Sequence, residues 1–371
     1  MDEDATRVMT SASRFEPARD TRIHLLQPLM GDSPVQRCVI DGAGLVIGRT
    51  APPAELVVAD NEVSRSHCRV ELRNGEALVT DLGSTNGTYV NGERIARPTI
   101  LPVGGLLQVG REVLKHEWRT QREIDEGDEF GRDLARADAY VRALLPPPLT
   151  EGAIRTDWVY QPSAKLGGDA FGYTDLGPDK FAIYLMDVSG HGAGAALHSV
   201  AVMNLLRQGA LADTDPSKPD EVCAALNDMF QMDRHAEMYF TLWYGVFDRT
   251  TRRLDYANAG CHPTYMVPAD RSEAIALRTK NGVIGAMPGR SYTASFTVVP
   301  AGASLYLFSD GVFEVVTASG LQWGLNDFMA LILEPSVEGV AESDRLHQTV
   351  MKNAKPGGLD DDFTLLVLSF D

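Results

Sequence analysis

The chain has 371 residues, enough for two or three domains, and 44% of them are hydrophobic, so sizeable cores can form. Its 34 basic residues face 51 acidic ones, and the resulting formal net charge of -17 argues against nonspecific nucleic-acid binding and against an anionic membrane surface. Four cysteines, Cys38, Cys68, Cys223 and Cys261, lie far apart without CxxC spacing, which supports neither a zinc site nor a disulfide framework and fits a reducing cytoplasm.

The opening stretch MDEDATRVMTSASRFEP is acidic and lacks the apolar segment of a signal peptide. No apolar run reaches the length of a membrane span, so a soluble, cytoplasmic protein without membrane insertion is expected. In chain order, residues 1–20 are polar and predict a disordered tail. Over 21–118, short apolar runs alternate with turn signals: DGAG at 41, GSTNG at 83, NGE at 91 and VGG at 103. Short strands so closely spaced predict an all-β sandwich. Residues 119–151 predict a helical linker. Leu134, Ala137, Val141 and Leu144 form a stripe at helical spacing, and the prolines at 146–148 end it. That stripe reads either as a helix packed on its own domain or as the seam of a homodimer. Over 152–371, strands and helices mix. FAIYLMDVS at 181–189, YFTLWYGVFD at 239–248, LDYANAG at 254–260, SLYLFSD at 304–310 and FTLLVLSF at 363–370 read as strands, and 194–212 reads as a helix. Few strands are separated by a helix, so the sheets of this α/β domain are expected to be antiparallel.

Two sets of polar motifs carry chemistry. In the first domain, Gly48-Arg49, Ser64-Arg65-Ser66-His67, Thr85-Asn86-Gly87 and Asn91-Gly92 fall in turns between strands. Phosphate suits arginine forks, small hydroxyls and the free N–H groups of tight turns. Taken singly, each motif is an ordinary turn. The ordered set GR, SRSH and DLGSTNGTYVNG resembles the forkhead-associated (FHA) domain, a β-sandwich that binds phosphothreonine proteins. The resemblance implies that Arg49, Ser64, Arg65 and Thr85 contact the phosphate, that Asn86 holds the peptide backbone, and that His67 braces the loops.

In the second domain, four acidic motifs end strands or open glycine-flanked turns: Gly167-Gly168-Asp169, Asp187-Val188-Ser189-Gly190-His191-Gly192, Ser309-Asp310-Gly311 and Asp360-Asp361-Asp362-Phe363-Thr364. Carboxylates gathered at low dielectric repel one another and call for hard cations such as Mg2+ or Mn2+. One Asp-Gly alone is a common turn; four such motifs in order favour a site. LGGD, YLMDVSGHGAGAAL, YANAGCHP, LFSDGVFE and DDFTLLVL together resemble the PPM metal-dependent phosphatases, in the bacterial branch of SpoIIE-like and RsbU-like proteins. That family is an α-β-β-α sandwich of two antiparallel sheets, with two divalent cations between them activating a water for in-line attack on phosphorus. The resemblance implies that Asp169, Asp187, Asp310 and Asp361 are ligands, with Asp187 bridging both ions and the Val188 carbonyl adding an oxygen. Asp362 is left to a supporting role.

The chain departs from the family in places. Gly172 stands where many relatives carry another acid, and Ser189 where eukaryotic members place a histidine. His191 is a candidate general acid, the alternative being an ordinary loop residue. Lys165 is a candidate substitute for the eukaryotic phosphate-binding arginine. His262 is displaced by one position and is not expected to be catalytic. The resemblances imply a phosphoserine/phosphothreonine protein phosphatase in signalling, acting on a phosphorylated STAS-domain partner and regulated or localised by phosphothreonine binding. Direct reversal of a Ser/Thr kinase and a catalytically weak scaffold are the alternatives.

Overall fold

The structure is a computed structural model that describes residues 22–29, 35–317, 319–355 and 359–371; the tail expected over 1–20 lies outside them. The chain divides into two compact units, with the break after Gly131.

The first unit is a sandwich of two sheets. One has six strands in the order Cys38–Ile40, Arg22–Pro28, Glu112–Thr120, Leu106–Val109, Thr88–Val90 and Glu93–Arg94. The other has five, ordered Leu56–Val57, Leu45–Gly48, Cys68–Arg73, Glu76–Asp81 and Thr99–Leu101. Strand alternation drives the packing. Cys68 and Val70 point inward from one strand, Ala77 and Val79 from the next, and they meet Leu26, Leu107 and Leu114 of the facing sheet. Between the sheets' ends, His116 Nδ1 donates to the Leu101 carbonyl at 2.8 Å, so its Nε2 accepts from His24 Nδ1 at 2.9 Å.

Helix α1 (Gln121–Leu144) carries the chain into the second unit. There, Leu134, Ala137 and Val141 pack on Leu166, Ala196 and Val200. The apolar stripe is therefore covered by its own unit. Arg142 fixes the end of the helix: it donates to the Tyr160 carbonyl at 3.1 Å and lies over the Tyr160 ring.

The second unit stacks two five-stranded antiparallel sheets. One is ordered Ile154–Gln161, Phe363–Phe370, Ser304–Phe308, Thr264–Val267 and Ile275–Leu277. The other is ordered Ala170–Asp175, Lys180–Val188, Phe240–Asp248, Arg253–Ala259 and Ser295–Val298. Helices α2 (Ala193–Gln208) and α3 (Pro219–Met229) cover the second sheet. Helices α4 (Leu325–Leu333) and α5 (Glu342–Asn353) cover the first. Strand Phe363–Phe370 shows why its sequence is apolar without alternation. Phe363, Leu365 and Val367 face Phe328, Ile332, Leu346 and Val350 of the helices, while Leu366, Leu368 and Phe370 enter the core shared with the other sheet. The rings of Phe370 and Phe247 meet across the two sheets at 4.7 Å. A strand buried on both faces has no polar side to show.

Candidate functional site

In the first unit, the loops that follow Gly48, Val63 and Leu82 lie together. The Arg49 N–H donates to the Ser64 carbonyl at 3.0 Å, and the Thr85 N–H donates to Ser64 Oγ at 3.1 Å. The Ser64 and Thr85 hydroxyls are 3.4 Å apart. Gly48 is required by space: a Cβ there would lie 2.0 Å from the Arg65 carbonyl oxygen. His67 is fully buried; its Nε2 donates to the Gly87 carbonyl at 3.0 Å and its Nδ1 accepts from the Ser64 N–H at 3.1 Å. One ring thus ties two loops, the bracing expected of it. Asp81 closes the third loop by accepting from the Gly83 and Ser84 N–H groups and from the Ser84 and Thr88 hydroxyls. Arg49 and Arg65 are exposed, and neither guanidinium is engaged in an ion pair among the described residues. The Asn86 amide donates to the Glu62 carbonyl at 2.8 Å, which leaves its side-chain oxygen facing outward from that contact.

In the second unit, the acidic motifs converge at one end of the two sheets. Asp169 immediately precedes strand Ala170–Asp175, and Asp187 is the penultimate residue of Lys180–Val188. Asp310 opens a short 3-10 turn after Ser304–Phe308, and Asp361 and Asp362 lead into Phe363–Phe370. Their charges feel one another. Burial, followed by the charges of Asp187 and Asp362, pushes the Asp169 carboxyl well above the ordinary aspartate range. Burial, then Asp310, Asp361 and Asp362, raises Asp187 to about 7. Asp361 is also raised, by burial and by Asp310 and Asp362, against a lowering contribution from nearby His191. The structure therefore brings His191 to the cluster, on an exposed turn, whereas Lys165 is exposed and shows no contact with it.

Sequence reasoning missed several groups. Glu314, four residues beyond Asp310, joins the cluster and is raised by burial, Asp310 and Asp361. It shares with Asp187, Asp310, Cys261, His262 and Phe313 the lining of a cavity of ≈ 210 Å³. Its spacing across one tight turn was the available signal. Asn258, 2% exposed, donates to the His262 carbonyl at 2.9 Å and shapes the Asn-Ala-Gly turn beside the cavity. His262 itself stacks on Phe308 at 4.5 Å, a packing role consistent with its displaced position. At Gly172, a Cβ would lie 2.4 Å from the Tyr184 hydroxyl, so the tyrosine fills the space an acidic side chain would need.

Among the described residues, no three His, Cys, Asp or Glu side chains already close into a ligand set. The donor chemistry nevertheless suits a hard cation. Asp169 is 1% exposed, and its Oδ2 has no hydrogen-bond partner, a buried carboxyl oxygen that a cation would satisfy.

A sandwich of two antiparallel sheets between helix pairs, with aspartates gathered at one end, is the PP2C-type fold. The sequence profile of the stage II sporulation protein E (SpoIIE) family matches residues 177–371, and the chain belongs to that family. The FHA profile matches residues 45–110, so an FHA domain precedes the phosphatase-type domain. The chain is 28% identical over 184 residues to the phosphoserine phosphatase RsbP of Bacillus subtilis, a match covering 49% of this chain and 45% of the relative. It is 26% identical over 271 residues to the phosphoserine phosphatase RsbU of the same organism, covering 71% of this chain and 76% of that one. The SiaA PP2C domain of Pseudomonas aeruginosa superposes with a TM-score of 0.58 at 20% identity, covering 66% of this chain and 99% of that one. PP2C-type membership implies dependence on divalent metal, which the buried, unpartnered Asp169 oxygen fits.

Proposed function

We propose that the second unit is a metal-dependent phosphoserine/phosphothreonine protein phosphatase of bacterial signalling, and that the first binds phosphothreonine proteins. The observation that supports this reading is the mutual charge pressure among Asp169, Asp187, Asp310 and Asp361 at one end of a PP2C-type sandwich. In this reading Asp169, Asp187, Asp310, Asp361 and the Val188 carbonyl hold two divalent ions, Mn2+ or Mg2+. Such ions supply Lewis acidity and neutralise charge at a phosphoryl group. The chain's own groups do the rest. Phe308 and Phe313 form the apolar part of the adjoining cavity's wall. In this reading His191, exposed and near Asp361, would pass a proton to the leaving oxygen.

The named phosphoserine phosphatases among the relatives make a phosphorylated STAS-domain protein the proposed substrate. The exposed Arg49 and Arg65, beside the Ser64 and Thr85 hydroxyls, make a phosphothreonine protein the proposed partner of the FHA loops. A Ser/Thr kinase that generates that mark follows as a further partner. Occupancy of the loops would localise or regulate the enzyme.

Hydrolysis of para-nitrophenyl phosphate tests the core of the proposal. Turnover is expected with Mn2+ or Mg2+ and is expected to fall to background in EDTA and in Asp310→Asn. Turnover that survives EDTA, or that the substitution leaves undiminished, would sink it.

A further inference from the structure

Two adjacent aspartates are treated very differently by the fold. Asp361 is exposed, with its charge against Asp310 and His191. Asp362 is 6% exposed and turned the other way. Its Oδ1 accepts from the Ser163 N–H at 2.8 Å and from Ser163 Oγ at 2.9 Å. Its Oδ2 accepts from the Gly168 N–H at 2.7 Å. Its own N–H donates to Asp361 Oδ1 at 2.8 Å, and its carbonyl accepts from Ser309 Oγ at 2.9 Å. Every polar atom of Asp362 is therefore partnered, in contrast to the unpartnered Oδ2 of Asp169.

The neighbouring glycines have made room for it. A Cβ at Gly167 would lie 2.4 Å from Asp362 Oδ2, and one at Gly311 would lie 2.3 Å from the Asp362 carbonyl oxygen. Asp362 thus touches three of the segments that carry the other acids: the loop into Asp169, the turn at Asp310 and its own neighbour Asp361.

Resting on the phosphatase reading above, we infer that Asp362 is a positioning residue and not a metal ligand. Its carboxylate clips the 163–168 loop to the start of strand Phe363–Phe370, where the backbone carbonyl of Asp362 meets Ser309 beside the Asp310 turn, and so sets the spacing of Asp169, Asp310 and Asp361. A carboxylate is needed because two backbone N–H groups point at its two separate oxygens. Asparagine offers one acceptor oxygen and must turn an N–H2 toward either Ser163 or Gly168. Loss of such a support lowers metal affinity by roughly 10- to 100-fold.

The test uses the full chain and compares wild type, Asp362→Asn, Ser163→Ala and Asp361→Asn. Mn2+ binding is measured without substrate by paramagnetic resonance of the free ion, and hydrogen exchange of residues 160–170 is measured in metal-free protein. In Asp362→Asn, Mn2+ affinity is expected to fall roughly 10- to 100-fold, and exchange at Ser163 and Gly168 is expected to rise. Ser163→Ala keeps both backbone bonds and should show a smaller fall in affinity. Asp361→Asn should lose Mn2+ affinity while leaving exchange at Gly168 unchanged. Unchanged exchange at Gly168 in Asp362→Asn would overturn the clip, whether or not metal binds. So would lost Mn2+ binding with exchange at wild-type rates, because Asp362 would then act as a ligand. A wild-type protein that binds no Mn2+ would defeat the phosphatase reading, and the exchange data would still decide the clip.

Discussion

Substitution of Asp187 by asparagine should make the metal-free protein more stable while abolishing its response to metal. Asp187 stands at about 7 against an ordinary 3.8, with burial as the first cause and Asp310, Asp361 and Asp362 adding to it. That gap, roughly a thousandfold in proton affinity, corresponds to at most about 4 kcal/mol of penalty for the charged form. The neighbouring acids share the same repulsion, so about 2 kcal/mol is a fair expectation for one substitution. A folded-state value raised above the unfolded one means that stability is complete below the ordinary aspartate range and is lost as pH rises through about 7. Wild type and Asp187→Asn should therefore unfold together near pH 4. At pH 8 without metal the variant should unfold higher, by roughly 4–8 °C for a unit of this size. Saturating Mn2+ should raise the wild type by a comparable amount and leave the variant unmoved. Differential scanning calorimetry at both pH values, with EDTA and with Mn2+, reads all four arms. A variant less stable than wild type at pH 8 in EDTA would refute the reasoning, because Asp187 would then be stabilised by its surroundings.

Three further predictions concern the first unit. Arg65→Ala should weaken binding of a phosphothreonine peptide by roughly 10- to 100-fold, the value of one charged hydrogen-bonding group, without moving the unfolding temperature. Gly48→Ala should lower both, because its Cβ collides with the Arg65 carbonyl; equal binding by either variant in titration calorimetry would refute the loop assignment. Burial, then His116 and Arg22, holds His24 below the ordinary histidine value of 6.5. The stability that neutral His24 contributes is therefore present above that value and lost as pH falls below it. A drop in the first unit's unfolding temperature between pH 7.5 and 5 is expected, and a flat profile would count against it.

Much of this architecture was legible in the sequence because periodicity and turn chemistry are local. FTLLVLSF and FAIYLMDVS read as strands, and the turns that separate the short apolar runs of the first unit announced its sandwich. What stayed hidden depends on which way neighbouring side chains turn. The resemblance set Asp361 among the ligands and left Asp362 to a supporting role, but what Asp362 supports is not visible until Ser163 and Gly168, some two hundred residues earlier, are seen to donate to it. Helix α1's stripe fitted two partners equally well in sequence, and only Leu166, Ala196 and Val200 decide what covers it. Glu314 was overlooked although its four-residue spacing from Asp310 was visible, because only the tight turn between them brings the two acids into one cluster.

The glycines of the acidic motifs have a consequence at the level of the gene. At Gly168 a Cβ would lie 2.7 Å from the Val188 carbonyl oxygen, and Gly167 and Gly311 are as tightly hemmed by Asp362. Every single-nucleotide missense change to a glycine codon adds at least a Cβ. At these three positions no first step through the genetic code is sterically silent, whereas an aspartate codon can reach asparagine or glutamate in one.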